Sequence, residues 1–394
     1  MTASLTILQI IPRMRAGGAE MGCLQIAEAQ IAAGHRALVA SEGGRLVERL
    51  EAAGARHVTL PLSTKNPLKM WANARALARI VRQERVDILH ARSRAPAWSA
   101  LLAARWTGCG FVTTYHGEYS EKGRIKNLYN SVMARSDIVI AVSNNIGRLI
   151  AERYRVDDDR VRVIQRAFDP VRFDRATLTP ERLAAMRAKV GLAPGRRVMM
   201  LAGRVSENKA HADLVEAVGL LRQQGISDLS CVFPGEIEKP DYAAALQARA
   251  TALGFGEHVH LAGNIDDMAT CFALADIVFN ISRTEGLPRV VIEAQAMGVP
   301  VVVSDSGPGR EVALTPPDTP LDQATGLRVP YADPEALAAT IATMLGWPDG
   351  TLAGMGQRGT AHAFGHFTLQ KMCDDTLGVY AEVAARRRLK LAKT

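Results

Sequence analysis

The sequence is poor in the features that mark secreted, metal-bound or membrane-spanning chains. Its cysteines, Cys23, Cys109, Cys231, Cys271 and Cys373, are odd in number and far apart. None forms a C-x-x-C pair, which excludes the common zinc and dithiol spacings and fits a reducing cytoplasm. No apolar stretch approaches the roughly 20 residues that a membrane-spanning helix needs. Residues 1–15 have no basic leader and only a short apolar run before Pro12, so they read as a first strand and not a signal peptide. No low-complexity segment and no registrable repeat occurs. What is present is an ordinary globular composition, 48% hydrophobic and 22% charged over 394 residues, long enough for two domains. The net charge of +8 suits nucleotide diphosphates, anionic lipid or nucleic acid without choosing among them.

Short β-branched runs alternate with helical patterns at 5–11, 37–40, 58–60, 86–90, 110–115 and 138–142. A charged, irregular stretch follows over 168–197, and the same alternation restarts at 198–203, 230–233, 259–263, 276–281 and 299–304. Alternation of this kind predicts an α/β chain of two Rossmann-like, doubly wound parallel sheets. The restart sets the domain boundary, giving an N-terminal domain over 1–170 and a second over 190–368. A last helix from about 369 packs back toward the first domain and ends in the basic run Arg386, Arg387, Arg388, Lys390 and Lys393, expected as a solvated tail. Ligands of doubly wound sheets bind outside the carboxyl ends of the strands, so motifs at strand ends carry the chemistry.

Three such motifs stand out. Thr284-Glu285-Gly286-Leu287-Pro288-Arg289-Val290-Val291-Ile292-Glu293 follows the strand at 276–281 and puts carboxylates on either side of a helix start. Pro288 suits the first helical position, and Gly298-Val299-Pro300 ends the helix. Glu285 and Glu293 can accept hydrogen bonds from sugar and ribose hydroxyls, while the free N–H groups of the helix bind an anion. The same spacing also fits a helix-capping Glu285 and a solvated Glu293. Gly203-Arg204-Val205-Ser206-Glu207-Asn208-Lys209 places two cations where a diphosphate can sit, or where surface salt bridges form. Asn208 stands where a Walker sequence has glycine, which excludes a P-loop. Arg13-Met14-Arg15-Ala16-Gly17-Gly18-Ala19-Glu20 turns from the first strand into a helix without the G-x-G-x-x-G of a dinucleotide site. His116 follows the strand at 110–115, facing the crevice or serving structure. Asp157-Asp158-Asp159 reads as a solvated turn and not as metal ligands.

Gly17-Gly18, His116, Gly203-Arg204 with Lys209, and Glu285 seven residues before Glu293 together resemble the family 4 (group 1) glycosyltransferases over nearly the whole chain. The resemblance implies the GT-B fold, two facing Rossmann-like domains with a cleft between, and transfer with retention of anomeric configuration. It implies that Arg204 and Lys209 hold the donor diphosphate and Glu293 the ribose. Glu285 with the Gly286-Leu287 backbone would hold the donor sugar, and Gly263-Asn264-Ile265 the base. Gly17-Gly18 would approach phosphate and acceptor, and His116 the reacting centre. No cofactor or metal is implied beyond the nucleotide-diphosphate sugar itself. Three places depart from the family pattern: Val163–Asp169, Ala210 after Lys209, and Gly307-Pro308-Gly309.

Arg92-Ser93-Arg94-Ala95-Pro96 and Thr114-Tyr115-His116-Gly117 resemble bacterial envelope enzymes, including those of lipopolysaccharide synthesis, and imply a glycan or lipid-linked acceptor. Lys122, Arg124 and Lys126 lie beside Leu128, Tyr129, Val132 and Met133 in a stretch that fits either the anionic inner face of a membrane or a solvated helix with an apolar core face. Lys65, Lys69, Arg75, Arg79 and Arg82 over 66–84 fit the same pair. A nucleotide-sugar epimerase and a non-catalytic nucleotide-sugar binder are the competing functions. Nucleic-acid binding has only net charge in its favour and no recognisable module.

Overall fold

The computed structural model describes residues 4–15, 17–119 and 123–391, with side chains as far as 389. Ala16, Lys122, Lys393 and the side chain of Lys390 lie outside the described residues. By internal contacts the chain divides into two units, Met1–Gln165 with Gln370–Thr394, and Arg166–Leu369.

Among the described residues the first unit holds a seven-stranded sheet of β1 (Thr6–Ile10), β2 (Arg36–Ser41), β3 (Arg56–Thr59), β4 (Ile88–Ala91), β5 (Gly110–Tyr115), β6 (Ile138–Ala141) and β7 (Val161–Val163), in the order β3-β2-β1-β4-β5-β6-β7. The second unit holds six strands, β8 (Arg197–Met200), β9 (Leu229–Pro234), β10 (Val259–Gly263), β11 (Ile277–Asn280), β12 (Val301–Ser304) and β13 (Gly326–Val329), in the order β10-β9-β8-β11-β12-β13. Every ladder is parallel. Helices cover both faces of such a sheet, which is why its strands read as unbroken apolar runs such as Val301-Val302-Val303. All three of those valines are buried. The strand order reverses between β1 and β4 in one sheet and between β8 and β11 in the other, and these are the switch points where a ligand crevice opens.

Helix ends follow local chemistry. Asn66 caps Pro67–Glu84 through Leu68 and Lys69 N–H, with proline at the first position. Asp333 caps Pro334–Leu345, whose Leu337 and Ile341 join Leu214, Val218 and Leu221 of His211–Gln223 in the core of the second unit.

Two expectations need correction. The stretch 168–197 is not irregular throughout, because Thr179 caps a helix, Pro180–Lys189, whose proline again sits at the start. Within the basic run at the C-terminus, Arg386 and Arg387 are not part of a solvated tail. They lie near the end of a long helix, Leu369–Leu391, that is anchored to the first unit. There Arg386 meets Asp159 and Glu382, Arg387 meets Asp137, and Glu382 also pairs with Arg162. Tyr380 is buried against the sheet and shares a 2.6 Å hydrogen bond with His90. Among the described residues no helix is long and apolar enough to cross a membrane.

Candidate active site

The loops that leave β8 and β11 are neighbours because those strands pair directly. Asn208 stitches them together. Its carbonyl accepts from Arg283 N–H at 2.9 Å, its Oδ1 accepts from Thr284 Oγ1 at 3.1 Å, and its Nδ2 donates to Thr284 O at 3.3 Å. The residue that spoils a P-loop is thus the bridge between two predicted motifs. The next residue, Lys209, donates from Nζ to Glu285 Oε1 across 76 positions of sequence. Both side chains are mostly buried, 16% and 18% exposed. Asn280, the last residue of β11, donates to the same Glu285 oxygen at 3.3 Å, and Ser282 hydrogen-bonds the carboxylate as well. Burial alone would push the Glu285 carboxyl up, but Lys209 and the bonds from Ser282 and Asn280 outweigh it and hold its pKa below the usual value. Glu285 is therefore a carboxylate kept ionised in a poorly solvated place, an acceptor and not an acid.

Around this pair the other predicted residues of the second unit take distinct positions. Arg204 is exposed and donates to Glu238 at 3.1 Å. Glu293 is buried on the helix Arg289–Ala296 and accepts from Arg289 one turn earlier at 2.7 Å. Pro288 is the N-cap, one position before the first helical residue where it was expected. No side chain caps this helix, so its first N–H groups, next to Gly286 and the buried Leu287, are available to an anion. Asn264 and Ile265 follow the edge strand β10, Asn264 exposed and Ile265 buried.

A backbone strap aligns these loops. Gly203 N donates to Pro234 O at 2.9 Å, and Gly235 N donates to Gly263 O at 2.7 Å, so the ends of β8, β9 and β10 are tied in a row. Gly235 has φ +152°, and a Cβ there would lie 1.9 Å from the Gly203 oxygen. Only glycine fits. Gly235 was not among the predicted residues, although the Pro-Gly pair ending an apolar run was its signal. Ala210, one of the three departures from the family pattern, takes the left-handed conformation at φ 58°. Behind it His211 is fully buried with its ring edge-on to Phe233. Burial, with Lys209 close by, lowers its pKa to about 4 despite a backbone bond at Ser206.

Gly17, Gly18 and His116 belong to the first unit. Gly17 is the N-cap of Gly18–Ala32 in ordinary extended backbone, φ −75°. A Cβ there would fall 2.3 Å from a Glu20 carboxylate oxygen, so the glycine makes room for Glu20 and not for an unusual torsion. His116 directly follows β5 and is half-buried, with both ring nitrogens shielded from solvent. The same unit carries a buried polar network that sequence reasoning missed. His90 bonds Thr114 at 2.7 Å and Tyr380 at 2.6 Å, and the buried Arg92 donates to Gln9 at 3.0 Å. Burial holds His90 well below its usual pKa and therefore neutral. Its signal was a histidine and an arginine in and just after an otherwise apolar strand. Among the described residues no group of three His, Cys, Asp or Glu side chains is placed to hold a metal ion.

Comparison with known proteins identifies the family and the fold. The family model described as Glycosyltransferase Family 4 matches residues 16–172, and the one described as Glycosyl transferases group 1 matches residues 196–346. A solved glycosyltransferase from Rickettsia africae ESF-5 is 31% identical, with 96% of this chain and 98% of that one covered and a TM-score of 0.86. Anabaena HepE, solved in complex with UDP and glucose, has the same fold at 20% identity, with 96% and 100% covered and a TM-score of 0.81. Among curated proteins, a D-inositol 3-phosphate glycosyltransferase of Salinispora tropica is 29% identical over 272 residues, 66% of this chain and 54% of that protein. The chain thus spans about half the length of that relative.

Proposed function

The chain belongs to the family 4, group 1 glycosyltransferases, and on that premise we propose that it moves a sugar from a nucleotide-diphosphate sugar to a glycan or glycolipid acceptor of the bacterial envelope, with retention. The observation that carries the proposal is the Lys209–Glu285 pair at the β8/β11 switch point, held beside Asn280 and Ser282. It sets a cation and an ionised carboxylate side by side where a sugar diphosphate needs one of each.

In the proposed reaction the acceptor hydroxyl attacks the anomeric carbon on the face that the diphosphate leaves. The bond from the anomeric carbon to the phosphate oxygen breaks as the new glycosidic bond forms, and the hydroxyl proton passes to the leaving diphosphate. No side chain is called on as nucleophile. Arg204 and Lys209 stabilise the charge that develops on the diphosphate, which is the main source of rate in such a site. Glu285 and the Gly286-Leu287 backbone position the sugar, Glu293 the ribose, and Asn264-Ile265 the base. The Anabaena protein's complexes with UDP and with UDP-glucose support a nucleotide-sugar donor for a chain of this fold. The reaction is placed in the cytoplasm, with peripheral contact at the inner membrane face where a lipid-linked acceptor is presented.

A thermal-shift screen against UDP, GDP, ADP and their sugars tests the donor site, because a ligand of the native state raises the Tm. One nucleotide family should stabilise the protein, and Arg204→Ala should lose the effect. No shift with any of them at several millimolar would sink the proposal.

A further inference from the structure

Arg289 is placed where helix stability alone would not put it. It is the first residue of Arg289–Ala296, in a first turn that holds no acidic residue and no side-chain cap. A cation there opposes the helix macrodipole, which is positive at that end. Its partner, Glu293, lies one turn further on, and a cation N-terminal to its carboxylate is the weaker order for such a pair. The contact is also single. Nη2 donates to Glu293 Oε1 at 2.7 Å, while Nε is shielded from solvent with no hydrogen-bond partner among the described residues. An arginine that grips a carboxylate for its own sake uses two parallel bonds. Nor is this a solvated surface contact, since the two side chains are only 23% and 11% exposed. What the arrangement leaves open explains it. Arg289 pins one oxygen of Glu293, and the other, Oε2, has no donor among the described residues.

We propose that Arg289 is a positioning residue for donor selection: it fixes the Glu293 carboxylate so that both hydroxyls of a ribose diol are accepted together, and the site thereby prefers ribonucleoside to 2′-deoxyribonucleoside diphosphates. This rests on the ribose role proposed above for Glu293 and adds the residue that enforces it. A glutamate free to turn would settle on one hydroxyl as readily as on two. Held at Oε1, it presents its remaining lone pairs along fixed lines, and a ligand that lacks a hydroxyl leaves one of them unpaired in a place mostly closed to water. That unpaired acceptor is what discriminates. The cost of setting a cation against the helix dipole is offset only when an anionic nucleotide lies at the same helix start.

The test is calorimetric titration of the whole protein with UDP, GDP and ADP, each against its 2′-deoxy form. The nucleotide that binds should do so at least about tenfold more tightly than its deoxy twin. Arg289→Met and the milder Arg289→Gln should each bring that ratio to about threefold or less. Arg289→Lys, which returns a charged donor to Glu293, should hold it above about fivefold. In a Glu293→Gln background Arg289→Met should change the ratio no further, because the arginine acts through the glutamate. The ratio compares two ligands on one sample, so a variant that is partly unfolded binds less of both and leaves it unmoved. Selectivity that survives both neutral variants, a lysine variant no more selective than the methionine one, or a further fall in the Glu293→Gln background overturns the inference while the ribose role of Glu293 stands. Equal binding of both forms by wild type, or full selectivity in Glu293→Gln, removes that role and the inference with it. Binding of none of the three nucleotides removes the proposed donor site.

Discussion

Replacing Lys209 by alanine should cost stability as well as catalysis, and pH should separate the two losses. The variant leaves the Glu285 carboxylate with Ser282 and Asn280 but without its cation. Removing one partner of a fully buried ion pair costs about 3–5 kcal/mol. Here the partners keep 16% and 18% exposure, and water recovers part of that, so about 2–3 kcal/mol is expected at pH 7.5. In the native protein the Glu285 pKa is depressed. Its ionised form therefore contributes stability above the ordinary value of 4.5 that is lost as pH falls through the lower folded value. In Lys209→Ala burial dominates and raises that pKa, so protonation in acid relieves the penalty. Urea unfolding followed by circular dichroism at pH 7.5 and 5.0 should show the gap to wild type shrinking in acid. Adding Glu285→Gln to Lys209→Ala should recover about 1–2 kcal/mol at pH 7.5, the non-additivity expected of partners in contact. A gap that is the same at both pH values, or a double variant that costs the sum of the singles, would refute the reasoning. Sugar transfer should fall about a hundredfold or more in each single variant, at either pH.

His211 gives a second pH signature. Its folded pKa of about 4 lies below the unfolded value of 6.5, so stability is complete above pH 6.5 and falls by up to about 3 kcal/mol as pH approaches 4. His211→Leu should flatten that slope, and an unchanged slope would rule His211 out as its source. Gly235→Ala should cost about 3 kcal/mol or more, because the clash is with the Gly203 backbone and not a movable side chain. A wild-type Tm for that variant would contradict the strap between β8, β9 and β10. Asn208→Ala should lower stability by about 1 kcal/mol and weaken nucleotide binding about fivefold by uncoupling the two loops; unchanged nucleotide affinity would confine Asn208 to a structural part.

Strand positions were legible because a parallel sheet covered on both faces must be apolar throughout, and runs such as 276–281 and 299–304 have no other use in a chain this size. The short strand Gly326–Val329 was not found, since Gly-Leu-Arg-Val has neither a long apolar run nor alternation. The helix Pro180–Lys189 was hidden by its charge, although Thr179-Pro180 spells a helix start. Within the candidate site, the residue types and their strand-end positions were readable. Their partners were not. Glu238 beside Arg204, Asn280 beneath Glu285 and the Asn208 bridge all depend on which loops adjoin. Strand order sets that adjacency, and local sequence does not carry it. The basic C-terminal run shows the same limit, because only the fold brings Asp137 and Asp159 within reach of Arg387 and Arg386.

That charge pairing bears on how a diphosphate would bind. Arg204 and Lys209 already hold carboxylates, Glu238 and Glu285, so an incoming phosphate exchanges one ion pair for another and does not meet bare cations. The net gain from either contact is smaller than two new charge-assisted bonds would suggest. For Arg204 the exchange is cheap, since both it and Glu238 are exposed and water solvates whichever group is released. For Lys209 it is not, because a displaced Glu285 stays in a poorly solvated place with only Asn280 and Ser282. The cost is met only if the ligand also supplies hydroxyl donors to Glu285. A nucleotide diphosphate without its sugar offers no such donors at that point, whereas a sugar diphosphate does. If the donor binds as proposed, the buried pair couples recognition of the phosphate to recognition of the sugar, and discrimination between donor and spent nucleotide follows from the burial of Glu285.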